Sequence, residues 1–225
     1  MAKALPNKTD AGGDTVMQRR PEALKPAKRA RSVDRRRQVA EVTLGLIAKH
    51  GLPGVRLAEL ADEIGVTDAA LYKHFASKED ILIAAYDLLV DRTLQWIAAR
   101  PGVTAIERLQ SIGETHASAF SRDVDGFNVP MSQFNVWIPQ DRLRSHVDQM
   151  HRAIMDAFVR LLEEGKSEGC VRHDVDSEVI VSELYAWIWW EDLSHLRGLD
   201  PASIAKGSSE MFNRILADVV VDPKL

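Results

Sequence analysis

A single cysteine, Cys170, serves 225 residues, which excludes an internal disulfide and any zinc site built on paired thiolates. On its own it reads as a small buried or half-buried hydrophobe. No apolar run is longer than Tyr185 to Trp190, far below the roughly 18 residues that a membrane-spanning helix needs. The N-terminus carries no apolar stretch followed by a cleavage site, so the expected location is the cytoplasm, with no membrane partner. Enzyme signatures are missing as well: there is no Gly-rich phosphate loop, no G-x-S-x-G and no H-E-x-x-H, and Cys170 has only His173 near it in sequence. His146 and His151 lie off the shared helix face that an i, i+4 metal pair would use, and the Glu191/His195 spacing suits an ion pair or surface contact better than a metal. The chain is therefore expected to be no enzyme, with no catalytic residues, no metal and no cofactor. It also has no alternating strand run, no internal repeat and no heptad array, which leaves an all-α fold.

Apolar residues make up 45% of the chain, enough for a sizeable core. The net charge of -4 hides an asymmetry. Residues 1 to 80 hold 15 Lys/Arg against 11 Asp/Glu, a net of +4, and residues 81 to 225 hold 14 against 22, a net of -8. The basic excess is densest from Arg19 to Arg37, where a polyanion would be drawn. Residues 1–31, with Pro6, Pro21, Pro26 and no apolar periodicity, read as a mobile basic arm.

Helical spacing then takes over. Ser32 or Asp34 can cap a first helix carrying Val39, Val42, Leu46 and Ile47 as far as His50, where Gly51 and Pro53 stop it. Leu57, Leu60, Ala61 and Ile64 form a complete stripe on a short second helix ended by Gly65. Thr67 is placed to cap a third helix, with Val66 and Leu71 as a hydrophobic staple, and Ser77 with Asp80 forms an S-x-x-D capping box that opens a fourth helix, running to about Arg100. A further stripe runs from Ile106 to about residue 122. Residues 123–140 lack a sustained pattern yet hold Phe127, Met131, Phe134 and Trp137, and are expected to fold inward. Leu143 to Leu161 mark another helix, closed by Gly165. From Val179 to Trp190 apolar residues fall all round the helix, which demands cover on every side. Asp200 and Pro201 open the last helix, whose apolar face is most simply buried against a second copy.

The second and third helices, joined by Gly65-Val66, have the length and spacing of a helix-turn-helix, in which the second helix enters the major groove. A small helical bundle can show the same pattern with the third helix as a mere brace, so a helical interaction or scaffold module stands as the rival reading. Three features favour DNA. Thr67 and the free N–H groups beside it suit a phosphate. Tyr72, His74 and Lys78 offer a hydroxyl, an imidazole and an ammonium for grip on a backbone. Ala69 and Ala70 are small enough for close approach to a groove.

These residues resemble the TetR family of bacterial transcriptional regulators. The resemblance rests on Leu60-Ala61, Gly65-Val66-Thr67, Leu71-Tyr72-Lys73-His74-Phe75 and Ser77-Lys78-Glu79, in one register over about residues 35 to 82. It implies a homodimeric repressor that reads a palindromic operator in double-stranded DNA and is released by a small molecule bound in the C-terminal domain. On that basis residues 32–80 would be the DNA-binding domain and 81–225 the ligand-binding and dimerisation domain. Thr67, Tyr72, His74 and Lys78 would contact phosphates, Ala69, Ala70 and Lys73 would face the groove, and Arg36 joins them as a DNA contact. Where the family often has Ser or Thr before the second helix this chain has Arg56, which cannot accept as a cap but can reach phosphate or guanine. His116 reads either as a hydrogen-bonded core residue or as the polar handle of an apolar or aromatic effector cavity with Phe120, Phe134, Trp137, Met150, Phe158 and Trp187. Tyr185, Ile188, Trp189, Met211, Phe212 and Ile215 are the residues expected at the dimer interface. An activator or nucleoid-organising protein without an effector is the other alternative.

Overall fold

A computed structural model describes residues 25–122, 131, 133, 134 and 141–221. Among these the chain is all-α, and the sole β pairing is an isolated bridge between Val171 and Val220. Helix α1 spans Lys25–His50 and so begins upstream of the expected Ser32 or Asp34 cap. Pro26 falls in the first turn, where its missing N–H costs nothing, and the Lys-, Arg- and Ala-rich stretch that follows favours helix. The C-terminal end of the expected basic arm is thus helical, and residues 1–24 lie outside the described residues.

Gly51, with φ of 74°, turns the chain into a short 3-10 segment, Leu52–Gly54. α2 (Leu57–Ile64) and α3 (Asp68–Leu71) follow, then α4 (Lys78–Ala98), α5 (Ala105–Arg122), α6 (Asp141–Ser167), α7 (Ser177–Leu196) and α8 (Pro201–Val219). The Ser77 hydroxyl accepts from the Asp80 N–H at 3.1 Å and donates to the Asp80 carboxylate at 3.1 Å, so the Ser77 half of the capping box expected there is formed. Asp176 caps α7 through the N–H groups of Glu178 (2.9 Å) and Val179 (3.3 Å), and Asp200 caps α8 through Ser203 (2.9 Å).

α4 is the axis of the molecule. It packs on α1 on one side and on α6 on the other, burying Ile81, Leu82, Ala85, Tyr86, Leu89 and Val90 between them. The division near residue 80 inferred from charge is therefore no gap in the core, because α4 belongs to both halves. Gly165 does not close α6. The helix continues to Ser167, and Gly165 is buried at a crossing where an added Cβ would lie 2.5 Å from Val171 Cγ2. The turn itself is made by Gly169, with φ of 74°. Of the stretch 123–140, Phe134 is wholly buried with its ring 4.9 Å from that of Tyr86, and Met131 is half-buried. Phe127 and Trp137 lie outside the described residues.

α7, apolar all round in sequence, is covered on one side only. It buries Ile180, Val181, Leu184, Trp187, Glu191 and Asp192, while Val179 (53% exposed) and Leu193 (45%) stand in solvent. Periodicity could not place Glu191 and Asp192 inside, since carboxylates are rarely buried without partners.

Candidate functional site

The turn between α2 and α3 follows from one residue without a side chain. Gly65 takes the left-handed conformation (φ 74°, ψ 39°), its N–H bonding to the Asp62 carbonyl at 3.1 Å and that of Val66 to Ala61 at 2.9 Å. This double closure is a Schellman motif, and an L side chain at φ near +74° would strain it. α3 is then fixed from beneath by Leu71 and Phe75, each 2% exposed, which together remove about 4 kcal/mol worth of apolar surface from water. With those two pointing in, Thr67, Asp68, Ala69, Tyr72 and Lys73 form one exposed face, and Ala70 and His74 are half-buried at its edge.

Thr67 occupies the cap position of α3, but its hydroxyl does not accept a capping bond, contrary to the sequence expectation. α3 has only four residues, too few to align a substantial dipole, so an anion at this end would depend on the Thr67 hydroxyl more than on the helix terminus. Arg56 sits exposed at the corresponding position of α2, also without a side-chain cap. Three of the expected DNA contacts, Arg36, His74 and Lys78, have internal partners. The Arg36 guanidinium lies 4.3 Å over the Phe75 ring and donates to the His74 carbonyl, and the Ser32 hydroxyl is 3.4 Å from His74 Nδ1. The Lys78 ammonium donates to the Val55 carbonyl at 2.5 Å. Both cations brace the turns around α3 as well as facing outward, and neither bond can be read from local spacing, because the partners are far apart in sequence.

The first turn of α4 is gripped from the other half of the chain. Arg142 on α6 pairs with Asp80 and lies 3.8 Å from Glu79, whose carboxylate accepts the Leu143 N–H at 2.9 Å. The Arg142 guanidinium holds the Asp80 carboxyl below its usual range. One turn further, His146 Nε2 is 2.6 Å from Asp87, and the Gln133 side chain accepts from the Leu52 N–H at 3.4 Å. No sequence pattern announced this seam.

The interior residues proposed for a cavity fall into two groups. His116 meets the wholly buried Glu191 at 2.5 Å, between the rings of Trp187 (5.0 Å) and Trp96 (6.4 Å). It therefore has the partner that its sequence neighbourhood did not reveal. Trp187 is wholly buried and donates its indole N–H to Ser208 at 2.9 Å. Phe158 is buried in the core. Phe134 belongs to a second group with Tyr86, and Met150 is half-buried next to His151 in the sequence of α6. The side chain of Phe120 and all of Trp137 lie outside what is described.

Three of the residues expected at a dimer interface point elsewhere. Phe212 is 4% exposed and sits in the chain's own core, its ring 4.9 Å from that of Trp187, in a slot that Gly113 on α5 leaves open. Tyr185 stacks on His151 of α6 with ring centres 4.4 Å apart, and Trp189 stands edge-on to Tyr185 at 5.9 Å. An all-round apolar helix has no periodicity from which inner and outer faces can be told, and α7 is such a helix. Ile188, Met211 and Ile215 remain half-buried at the surface. Cys170 is a free, half-buried thiol, and no group of three His, Cys, Asp or Glu side chains suited to a metal occurs among the described residues.

An all-α chain whose N-terminal helices present a helix-turn-helix with an exposed second helix has the architecture of a DNA-binding regulator of transcription. Residues 40–85 match the family model described as bacterial regulatory proteins, tetR family. That match, with the relatives and solved structures that follow, supports a TetR-family regulator. It is 25% identical over 161 residues to the HTH-type transcriptional repressor KstR2 of Mycobacterium tuberculosis, covering 69% of this chain and 78% of that protein. It is 27% identical over 154 residues to the nucleoid occlusion factor SlmA of Haemophilus influenzae, covering 67% and 70%. Among solved structures, a TetR transcription regulator from Haloarcula marismortui shares the fold with a TM-score of 0.71 at 17% identity, covering 84% of this chain and all of that one. No described helix is long and apolar enough to cross a membrane.

Proposed function

We propose that this protein is a homodimeric repressor that binds a palindromic operator through α3 and is released by a small molecule held among α4, α5, α6 and α7. The observation that carries the reading is the exposed face of Thr67, Ala69, Tyr72 and Lys73 on a helix fixed from below by Leu71 and Phe75. A helix that were only a brace would have its small residues turned inward. Two such helices in a dimer must meet half-sites roughly 34–36 Å apart. In this reading Arg36, Arg56, Thr67, Tyr72, His74 and Lys78 hold phosphates or nearby edges, with Ala69, Ala70 and Lys73 toward the bases. The outer faces of α7 and α8, with Ile188, Met211 and Ile215 and the exposed Leu193, supply the dimer contact.

The test is selection of bound sequences from a random DNA pool, with sedimentation of the free protein alongside. A two-fold symmetric site and a dimer that an Ile215→Glu change dissociates are the expected results. No enrichment would favour the interaction-module reading, and a monomer would refute the arrangement. The similarity to a nucleoid occlusion factor supports a second reading, an organiser of the nucleoid without an effector, which predicts binding that no small molecule alters.

Coupling between the halves runs through the Arg142 contacts, since they join α6 to the turn that carries Ser77 and Lys78. A ligand that shifts α6 would move the DNA-binding helices, and operator DNA must weaken ligand binding by the same factor that ligand weakens DNA binding. Arg142→Ala should leave intrinsic ligand affinity within about twofold and cut the ligand-induced loss of DNA affinity by about fivefold or more, from typical couplings of 1–3 kcal/mol. Anisotropy titrations of operator with and without ligand measure this, and undiminished coupling would remove the seam from the mechanism.

A further inference from the structure

Buried polar atoms nearly always have partners, and leaving one without costs about 1–3 kcal/mol. Three side chains of one interior cluster break that rule. The Tyr86 hydroxyl on α4 is buried on a wholly enclosed side chain and makes no hydrogen bond; neither ring nitrogen of His151 on α6 has a partner; and the indole N–H of Trp189 on α7 makes no hydrogen bond of normal geometry. Ring contacts join His151 to Trp189 through Tyr185, and Tyr86 to Phe134. His151 stacks on Tyr185 at 4.4 Å, Tyr185 meets Trp189 at 5.9 Å, and Phe134 lies against Tyr86 at 4.9 Å. Tyr185 is also close enough to Tyr86 to act on its ionisation. The groups come from three helices, and Asp148 lies close enough to act on Tyr86, His151 and Tyr185 alike.

Their chemistry selects a ligand class. An indole N–H can only donate, a phenol donates or accepts, and a neutral imidazole does one of each. Burial lowers the pKa of His151, opposed by Asp148, so at neutral pH the ring is uncharged. Burial raises the Tyr86 phenol, and Tyr185 and Asp148 add to the effect. Burial raises Tyr185 too, an effect that the Trp189 indole offsets and that Asp192 and Asp148 reinforce. Burial is the largest cause at each of the three, so the place is desolvated. It disfavours an anion, and a hydrocarbon or quaternary ammonium would leave the donors as they are.

We propose that Tyr86, His151 and Trp189, walled by Tyr185 and Phe134, bind the oxygen of an uncharged and otherwise apolar molecule, a ketone or an alcohol. This rests on the effector reading above and narrows it to a chemical class. The probes are four molecules on one rigid frame: 2-decalone, 2-decalol, decalin-2-carboxylate and decalin, measured by thermal shift and calorimetry on the full chain. The ketone and alcohol should raise the melting temperature, and the carboxylate and hydrocarbon should not. Tyr86→Phe should leave the free protein as stable or more so, because it removes an unpartnered hydroxyl, while weakening the ketone about fivefold, the worth of one hydrogen bond; His151→Leu should do the same to the ketone. Stabilisation by none of the four, a preference for the carboxylate, or ketone affinity unchanged from the parent in both variants would overturn the proposal. Ketone binding that leaves operator affinity unchanged would instead overturn the effector reading and leave this site standing.

Discussion

Ala69→Glu should abolish operator binding, with a loss of about 100-fold or more, while helix content and stability stay close to those of the parent. Ala69 is exposed on α3 between Thr67 and the Tyr72–Lys73 pair, so a carboxylate there would meet the phosphates and the acceptor-rich groove at close range. Like charges placed against each other at an interface cost several kcal/mol, and the added negative charge opposes the counterion-driven part of binding. The fold has no comparable objection, because an exposed helical Ala to Glu change costs only a few tenths of a kcal/mol. Ala69→Ser, similar in size and uncharged, is the control and should bind within about threefold, since it adds no charge to the phosphate-facing surface. Anisotropy on the selected operator reads the outcome. Near-parental affinity for the glutamate variant would show that α3 stays out of the groove and would return the interaction-module reading.

Gly113→Ala should destabilise the protein by about 2 kcal/mol, even though alanine is the better helix former by about 1 kcal/mol. A Cβ at residue 113 would lie 2.2 Å from Phe212 Cε1 and 2.3 Å from Cδ1. The ring cannot retreat easily, because it is 4% exposed and backed by Trp187, itself wholly buried and held by its bond to Ser208. Overpacking of this kind typically costs 1–3 kcal/mol. Phe212→Leu alone should also destabilise, by leaving a cavity. In the double variant the two defects fill each other, so its loss should fall short of the sum of the single losses by about 1 kcal/mol or more. Urea denaturation of the four proteins closes the cycle. Strict additivity would mean that α5 and α8 do not meet at this ring, and that Phe212 is free for the interface where its sequence position suggested it.

The contrast between these two sites shows how far local pattern reaches. The α3 face was legible because everything that builds it lies within a few residues: Gly65 must turn left-handed, Leu71 must point in, and the side chains between are left outside. The α4 start was legible for the same reason, through the Ser77 and Asp80 capping box. Phe212 was misplaced because its burial depends on a missing side chain on another helix. Tyr185 and Trp189 make contacts within the chain that could not be read from α7, because it is apolar on every face. The Arg142 seam and the His116–Glu191 pair join residues 62 and 75 positions apart, and no spacing rule spans that distance.

The amino-acid sequence by itself therefore determined the all-α class, the helix-turn-helix and its exposed residues, the caps of α4 and α8, and the absence of catalytic signatures. These depend on backbone conformation and on periods of three to four residues, which short-range sterics and hydrogen bonding set. Only the tertiary structure decided which face of α7 is inner, that α4 serves both halves, and that Arg36 and Lys78 brace turns as well as facing outward. It alone left the polar atoms of Tyr86 and His151 without partners in the interior. Such facts depend on which helices pack side by side, and that choice is made by the fit of whole surfaces, which no short stretch of chain contains.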